Sequence, residues 1–440
     1  ILVGTLRSSF QGGRTLAGSS FEYAKPYLNL EAAYAISPDL PLVGGRQYSQ
    51  TNQLIFGAFS DAAPDQWGEK IIDANHALRL KTDPQLPRRL GAFDYLLGVS
   101  DASRMGALRF RDADDWCSTE RQVANVHDLA RIVAAASRYE ADEASDDDVE
   151  YLGDIATSPG GARPKANVVL ASGELALAKL PHSKDGDVDT EAWEALALSM
   201  ASNAGIHISP FTLHAVSHEK SVLVVNRFDR RGRDERLGYI SAATALGIGA
   251  NDDDRITYEE FADVIAELSA QPSADLHEMF ARVALTVLIN NVDDHWRNHG
   301  FLHDASGWRL APAFDINPSP RRGTIFSRAI NSSDDPRARD IRNLAKIAGA
   351  YDLSELEAAT ILQRVGAEVE KWREIARSLN ISDAQTARMR GAFDEEKLDF
   401  ARSSMPAKAT GRPASGSVWI KPHSRNGKPV DGYWRGARSQ

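Results

Sequence analysis

The stretch Asp293-Asp294-His295-Trp296-Arg297-Asn298, followed some sixteen residues on by Phe314-Asp315-Ile316, decides how this chain is read. An Asp, an Asn five residues later and a second Asp beyond two short strands is the spacing of a phosphotransfer centre. The first Asp is expected to orient and deprotonate an attacking hydroxyl. The Asn and the later Asp offer oxygens to Mg²⁺ ions bridging nucleotide phosphates, since hard cations need oxygen donors. Upstream, Phe280 to Val292 is apolar, with Phe280, Val283, Ala284, Val287 and Leu288 at helical spacing. The Asn290-Asn291 pair marks the helix end and puts Asp293 on the loop that follows. Downstream, Gly300-Phe301-Leu302-His303 and Trp308-Arg309-Leu310-Ala311 read as strands of a hairpin around Asp304-Ala305-Ser306-Gly307. Helix, acidic loop, hairpin, Asp is the order of a kinase catalytic lobe. Asp and Asn also serve as solvated turn residues, so this stretch by itself is a hypothesis.

The upstream half supplies matching parts. Thr157-Ser158-Pro159-Gly160-Gly161-Ala162-Arg163-Pro164-Lys165 is small and glycine-containing, and precedes the β-branched run Asn167-Val168-Val169-Leu170-Ala171. Glycines let successive backbone N–H groups close around an anion. The loop fits neither the P-loop nor the G-x-G-x-x-G pattern, so an ordinary turn is the competing reading. After a turn at Ser172-Gly173-Glu174, a second strand runs Leu175 to Leu180, and Lys179 near its end can reach phosphate oxygens. A helical pattern from Asp189 to Ala204 carries Trp193, Leu196, Ala197 and Met200 as its apolar stripe. Glu194 there either pairs with Lys179, as in protein kinases, or is a solvent-facing acid of the first turns. Ser221 to Val225 is a continuous apolar strand leading into Asn226-Arg227-Phe228-Asp229-Arg230-Arg231, where adenine can meet backbone; Arg230 and Arg231 read equally well as a solvated cluster.

Composition bounds the alternatives. A chain of 440 residues is long for one domain. A formal net charge of -10 argues against a free-standing nucleic-acid binder. The single cysteine, Cys117, excludes an internal disulfide and suits a reducing compartment. No run approaches the roughly 18 apolar residues of a membrane span, and the N-terminus lacks a signal pattern; the expected location is cytoplasmic. Ile1 in place of Met points to a trimmed chain. The expected organisation is an N-terminal subdomain over 1–112 with Gly106 to Arg111 as a strand, and a connector over 113–150. The latter holds a helical pattern from Val126 to Ser137 and the acidic run Asp142 to Asp148, a helix start or linker. A strand-rich lobe follows over 151–235, then a helical lobe over 236–400 that includes Tyr258 to Leu268 and Leu353 to Asn380. The tail, 401–440, carries eight Lys/Arg and one acid. In it, Ser417 to Ile420 and Asp431 to Trp434 are placed to pair across Asn426-Gly427. Basic and aromatic residues together make either a contact surface for phosphate or an acidic partner, or a flexible tail.

Taken together, the chain resembles a HipA-type toxin serine/threonine kinase, the toxin of HipA–HipB toxin–antitoxin pairs. The resemblance runs from Gly106 to residue 400. It rests on Ser158 to Lys165, Ala178-Lys179-Leu180-Pro181, Asn226 to Arg231, Asp293-x-His295-x-x-Asn298 and Phe314-Asp315-Ile316. It implies an α+β, two-lobed protein-kinase-like fold with an extra N-terminal subdomain. It implies Asp293 as catalytic base, Asn298 and Asp315 as Mg²⁺ ligands, and Glu194 as the partner of Lys179. ATP would be bound by Pro159, Gly160, Gly161, Ala162, Arg163, Pro164, Lys165, Lys179, Asn226, Arg227, Phe228 and His295. Ser158 falls on the family's autophosphorylation position, where phosphate would add roughly −1.5 to −2 charge units and expel the loop. The family's substrate is an aminoacyl-tRNA synthetase, its effect growth arrest and persistence, and its partner a DNA-binding HipB-like antitoxin through which DNA is contacted indirectly. Arg163-Pro164 stand where other members carry Gln-Glu. Asp294 and Trp296 are bulkier than the residues expected beside Asp293 and would bear on substrate approach.

Two rivals come from other classes. His295, His299 and His303 are four apart with Asp294 and Asp304 nearby, the pattern of a metal-dependent hydrolase, although Gly300 interrupts a single helical face. The second is a catalytically silent corepressor or scaffold that assists an antitoxin at DNA.

Overall fold

The apolar run at Ser221 to Val225 becomes the strand Ser221–Asn226 of a five-stranded sheet. This computed structural model describes residues 1–12, 15–113, 115–117, 123–156, 161–232, 235–248, 255–320 and 328–404, with the backbone of strands at 418–420, 423–425, 428–430 and 433–435. The sheet order is Ala124–Asn125, Lys165–Val169, Leu175–Lys179, Ser221–Asn226 and Phe211–Ala215. The first pair is parallel and the others antiparallel. Lys165, Lys179 and Leu223 share one cross-strand row, and Ala166, Ala178 and Val224 the next. Because side chains alternate between faces, the alanine and valine set lies on one face. There it packs on Trp67, Ile71, Ile132, Leu152 and Ile155 from three helices, Gln66–Thr82, Leu129–Glu140 and Asp146–Ile155. Lys179 is therefore on the opposite face from this core.

These elements belong to a first compact unit, Ile1–Ala192, Ser209–Ala245 and Phe301–Ala305. It begins with a three-stranded antiparallel sheet, Gly4–Gln11, Thr15–Tyr23 and Arg46–Tyr48. The acidic run is a helix start: Ser145 caps Asp146–Ile155, Asp148 closes a capping box, and three aspartates occupy the first turn, where the helix dipole favours them. Gly106 to Arg111 is not the expected strand; only Arg111–Asp112 pairs, with Asp115–Trp116. The reason lies in who satisfies its backbone. The Gly106 amide donates to the buried Asp229 carboxylate (2.6 Å), the Gly106 carbonyl accepts from the Arg230 guanidinium (3.3 Å), and the turn just before it is held by Arg227 and Arg230 on the carbonyls of Ser103 (2.9 Å) and Arg104 (2.7 Å). With side chains meeting those groups, no ladder is needed. Arg230 is thus buried and only Arg231 is solvated.

The second unit, Trp193–Ile208, Leu246–Gly300 and Ser306–Gln440, is largely helical. Its central helix Pro272–Leu288 is buried along one whole run from Met279 to Leu288 and packs on Tyr258–Leu268 and Glu355–Glu370. The pattern from Leu353 to Asn380 is divided into Glu355–Glu370 and Trp372–Ser378, the break falling at Lys371. In the tail, Val418–Ile420 pairs with Tyr433–Arg435, close to the segments expected to pair, and His423–Arg425 pairs with Lys428–Val430 inside them. Among the described residues no helix is long and apolar enough to cross a membrane.

Candidate active site

The helix Pro272–Leu288 stops at Ile289 because Asn290 turns into the left-handed region (φ 51°), which Asn tolerates better than most residues. Its side-chain Nδ2 donates to the Ser319 carbonyl at 2.7 Å, tying the helix end to the segment that follows Asp315. The chain then runs irregularly to a single tight turn, Trp296–Asn298, which folds Asn298 back on Asp293. Asn298 Nδ2 donates to the Asp293 carbonyl at 2.9 Å. That bond fixes the amide orientation and keeps Oδ1 as an acceptor.

Asp315 adopts φ 57°, a conformation that costs energy in a non-glycine residue and that clusters at functional sites. Its carboxylate lies close enough to be felt by Asp293. Asp293 is exposed, yet crowding by protein on one side pushes its carboxyl above the usual range. His295 and Arg328 pull it back, and the charges of Asp315 and Asp294 push it further up. Asp293 and Asp315 repel one another, and Asn298 keeps an oriented amide oxygen, so the three offer oxygen atoms, the donor type hard cations take. His295 adds a buried Nδ1 that has no hydrogen-bond partner among the described residues.

The next residue does the opposite. Asp294 is buried, accepts the Tyr258 hydroxyl and pairs with His299 Nε2 at 3.0 Å. Burial alone would push its carboxyl up, but His299, in charge and hydrogen bond, and Tyr258 hold it down at about 2. Arg339 closes the cluster through the Tyr258 hydroxyl (3.5 Å) and the Asn291 carbonyl (2.6 Å). Trp296 is fully buried against Phe261, ring centres 5.0 Å apart. Asp294 and Trp296 are therefore buried anchors of the loop and add no bulk to its exposed side. The histidine series is no metal site. His299 is committed to Asp294 and His303 stacks on Tyr34 at 3.6 Å. Among the described residues no group of three or more His, Cys, Asp or Glu is placed to hold a metal. Tyr258, Arg328 and Arg339 carried no signal in the sequence, because they reach the loop from distant segments.

In the first unit, Ser158, Pro159 and Gly160 lie outside the described residues. Gly161 takes φ 110°, open only to glycine, and Ala162 is exposed. The charged residues of the loop already have partners. Arg163 forks onto Asp185 (2.7 and 2.6 Å) and reaches Glu191 (2.7 Å). Burial pushes Glu191 up to about 7 despite Arg163 beside it. Lys165 is buried, bonded to Asp65 at 2.5 Å and to the Gly161 carbonyl at 2.7 Å, and the Pro164 carbonyl accepts the Leu180 amide at 3.0 Å. In the expected hinge, the amides of Asn226 and Arg227 are used by the carbonyls of Pro210 (2.9 Å) and Leu175 (3.0 Å). The Arg227 guanidinium is buried on Asp229, Asn167 and Ser103, a structural position. Phe228 packs on Tyr239. Lys179 ends its strand on the sheet face away from the core. Glu194 is buried in the helix Thr190–Asn203, not solvent-facing.

Residues 157–373 match the HipA-like C-terminal domain. The chain is 25% identical over 182 residues to the "Putative kinase Y4mE" of Sinorhizobium fredii, covering 36% of this chain and 41% of that protein. It is 28% identical over 115 residues to a Haemophilus influenzae protein of similar description, covering 24% of this chain and 34% of that one. The matches thus span less than half the length of these relatives. HipA of Shewanella oneidensis, solved with HipB and operator DNA, superposes with a TM-score of 0.65 at 16% identity, over 91% of this chain and 94% of that one. At that identity the likeness concerns the fold, which is the α+β kinase-like architecture expected from the motifs. Residues 157–373, just under half of the chain, carry a HipA-like C-terminal domain.

Proposed function

We propose that this protein is a cytoplasmic toxin kinase that transfers the ATP γ-phosphoryl group to a serine or threonine of a protein and to its own Ser158. The observation that carries this reading is the grouping of Asp293, Asn298 and Asp315, with Asn298 bonded to the Asp293 carbonyl and Asp315 repelling Asp293. Asp293, exposed at the loop tip, would hold the acceptor hydroxyl and take its proton at the carboxylate. The hydroxyl oxygen gains the bond to phosphorus as the bond to the ADP oxygen breaks. Asn298 Oδ1 and the Asp315 carboxylate would hold Mg²⁺, which supplies neutralisation of phosphate charge when bound. Lys179 would lie on the phosphates, oriented by Glu194, with the loop 159–165 above them. At the hinge, Phe228 and the remaining backbone carbonyls of Asn226 and Arg227 would face adenine, since both of those amides are engaged.

The natural target in this reading is an aminoacyl-tRNA synthetase, so that activity arrests growth and favours persistence. A HipB-like DNA-binding antitoxin would neutralise it; the solved Shewanella complex of HipA, HipB and operator DNA supports a partner of that kind. The test is incubation of the pure protein with Mg²⁺ and γ-labelled ATP. Label at Ser158 that disappears in Asp293→Ala supports the kinase. No label in the unsubstituted protein, with tight antitoxin binding, favours the silent corepressor instead.

A further inference from the structure

The loop expected to cover phosphates has its two long cations turned away to carboxylates. Arg163 is the more informative of the two, because it joins three segments. Its guanidinium makes a two-pronged fork with Asp185, just after the lysine strand, and a third bond with Glu191 in the first turn of Thr190–Asn203. Asp185 is itself fixed, since its Oδ2 accepts the His182 amide at 3.0 Å. Both acids are buried, with side chains 7% and 2% exposed. Glu191 Oε2 has no hydrogen-bond partner among the described residues, so nothing but Arg163 compensates that carboxyl from a side chain. On the other flank Lys165 binds Asp65 and the Gly161 carbonyl. The described part of the loop, Gly161 to Lys165, is thus held from both sides.

Planar forks onto carboxylates are strong and directional, and a guanidinium engaged this way has no donor geometry to spare for a second anion at the same edge. A loop that must close on phosphate loses less freedom if it is held beforehand. We propose that Arg163 is a positioning residue that sets nucleotide affinity by stapling the Gly161–Lys165 segment to Asp185 and Glu191, and is not a ligand of the phosphates. This rests on the kinase reading for its nucleotide, but not for the staple itself.

The test compares Arg163→Gln, Arg163→Lys, Asp185→Asn and the double variant Arg163→Gln/Asp185→Asn in the full chain. Two readouts are taken: hydrogen exchange of the 161–165 amides without nucleotide, and KM for ATP against kcat. Arg163→Gln and Asp185→Asn are each expected to speed exchange about tenfold or more and to raise KM with kcat nearly unchanged. The double variant should be no worse than Arg163→Gln alone, since that change already removes the fork that Asp185→Asn weakens, together with the bond to Glu191. Arg163→Lys should recover part of the loss, keeping the charge without the fork. A raised KM with unaltered exchange means a direct phosphate contact and overturns the proposal. So do additive effects, or no effect on either readout. Should Arg163→Gln not fold, as judged by its melting transition, Asp185→Asn carries the comparison. If the unsubstituted protein neither binds nor uses ATP, the kinase reading fails while the exchange data still decide the staple.

Discussion

Asp293 and Asp294 are adjacent carboxylates whose surroundings drive them apart. Asp293 is raised by crowding and by Asp315, as suits a base that must release its proton again. Asp294 is lowered to about 2 from its ordinary 3.8. A depressed carboxyl stabilises the fold above its ordinary value, and that stability is lost as pH falls through its folded value. The window is therefore about pH 4 down to about 2, and linkage puts the contribution at roughly 2 kcal/mol. The difference in urea midpoint between the unsubstituted protein and Asp294→Asn should shrink steadily across that window and be largest near neutrality. A constant difference would mean that Asp294 is not ionised in the fold. For the outward pair, Asp293→Ala and Asp315→Ala should each lower phosphorylation by about 10² to 10⁴-fold, the first with an unchanged melting transition and the second with a loss of about 1 kcal/mol from its left-handed backbone. Near-normal turnover in Asp315→Ala would remove the metal assignment.

At the scale of elements, the site stands on helix ends. Thr257 caps Tyr258–Leu268 by accepting the Glu260 amide at 3.2 Å, and Glu260 returns a bond to the Thr257 amide at 2.8 Å. The residue so positioned, Tyr258, is the one that reaches Asp294. Thr257→Ala should cost about 1 kcal/mol in urea unfolding. Asn290 stands at the other helix end in a left-handed conformation, with its side chain on Ser319. Asn290→Ala should cost about 1–2 kcal/mol through the conformation alone; a neutral result would show that the turn relaxes. These ends were legible beforehand, because caps and Asn pairs act within a few residues. The failed strand at Gly106 to Arg111 was not legible, since a local pattern cannot report that Asp229 will take the Gly106 amide and Arg230 its carbonyl from more than a hundred residues away.

For the whole chain, charge is unevenly spread. Removing residues 405–440 would take the formal net charge from -10 to -16. The strands of that tail pair with one another. A chain ending at Ser404 should therefore elute later from an anion exchanger while keeping its melting midpoint within a few degrees. A large drop would show that the tail supports the second unit.

What the sequence determined by itself was the order of parts: a buried helix, an acidic loop, two strands and an Asp, preceded by a glycine-bearing loop and a lysine strand. Periodicity and turn chemistry are properties of neighbouring residues, so these parts could be read directly. Tertiary structure decided what each charge does. It put Asp293 outside and Asp294 inside, brought Tyr258 and Arg339 under the loop, and committed Arg163, Lys165 and Arg227 to internal carboxylates. A charged side chain takes its role from the partner that meets it when buried, and the written order of residues does not reveal which distant partner that will be.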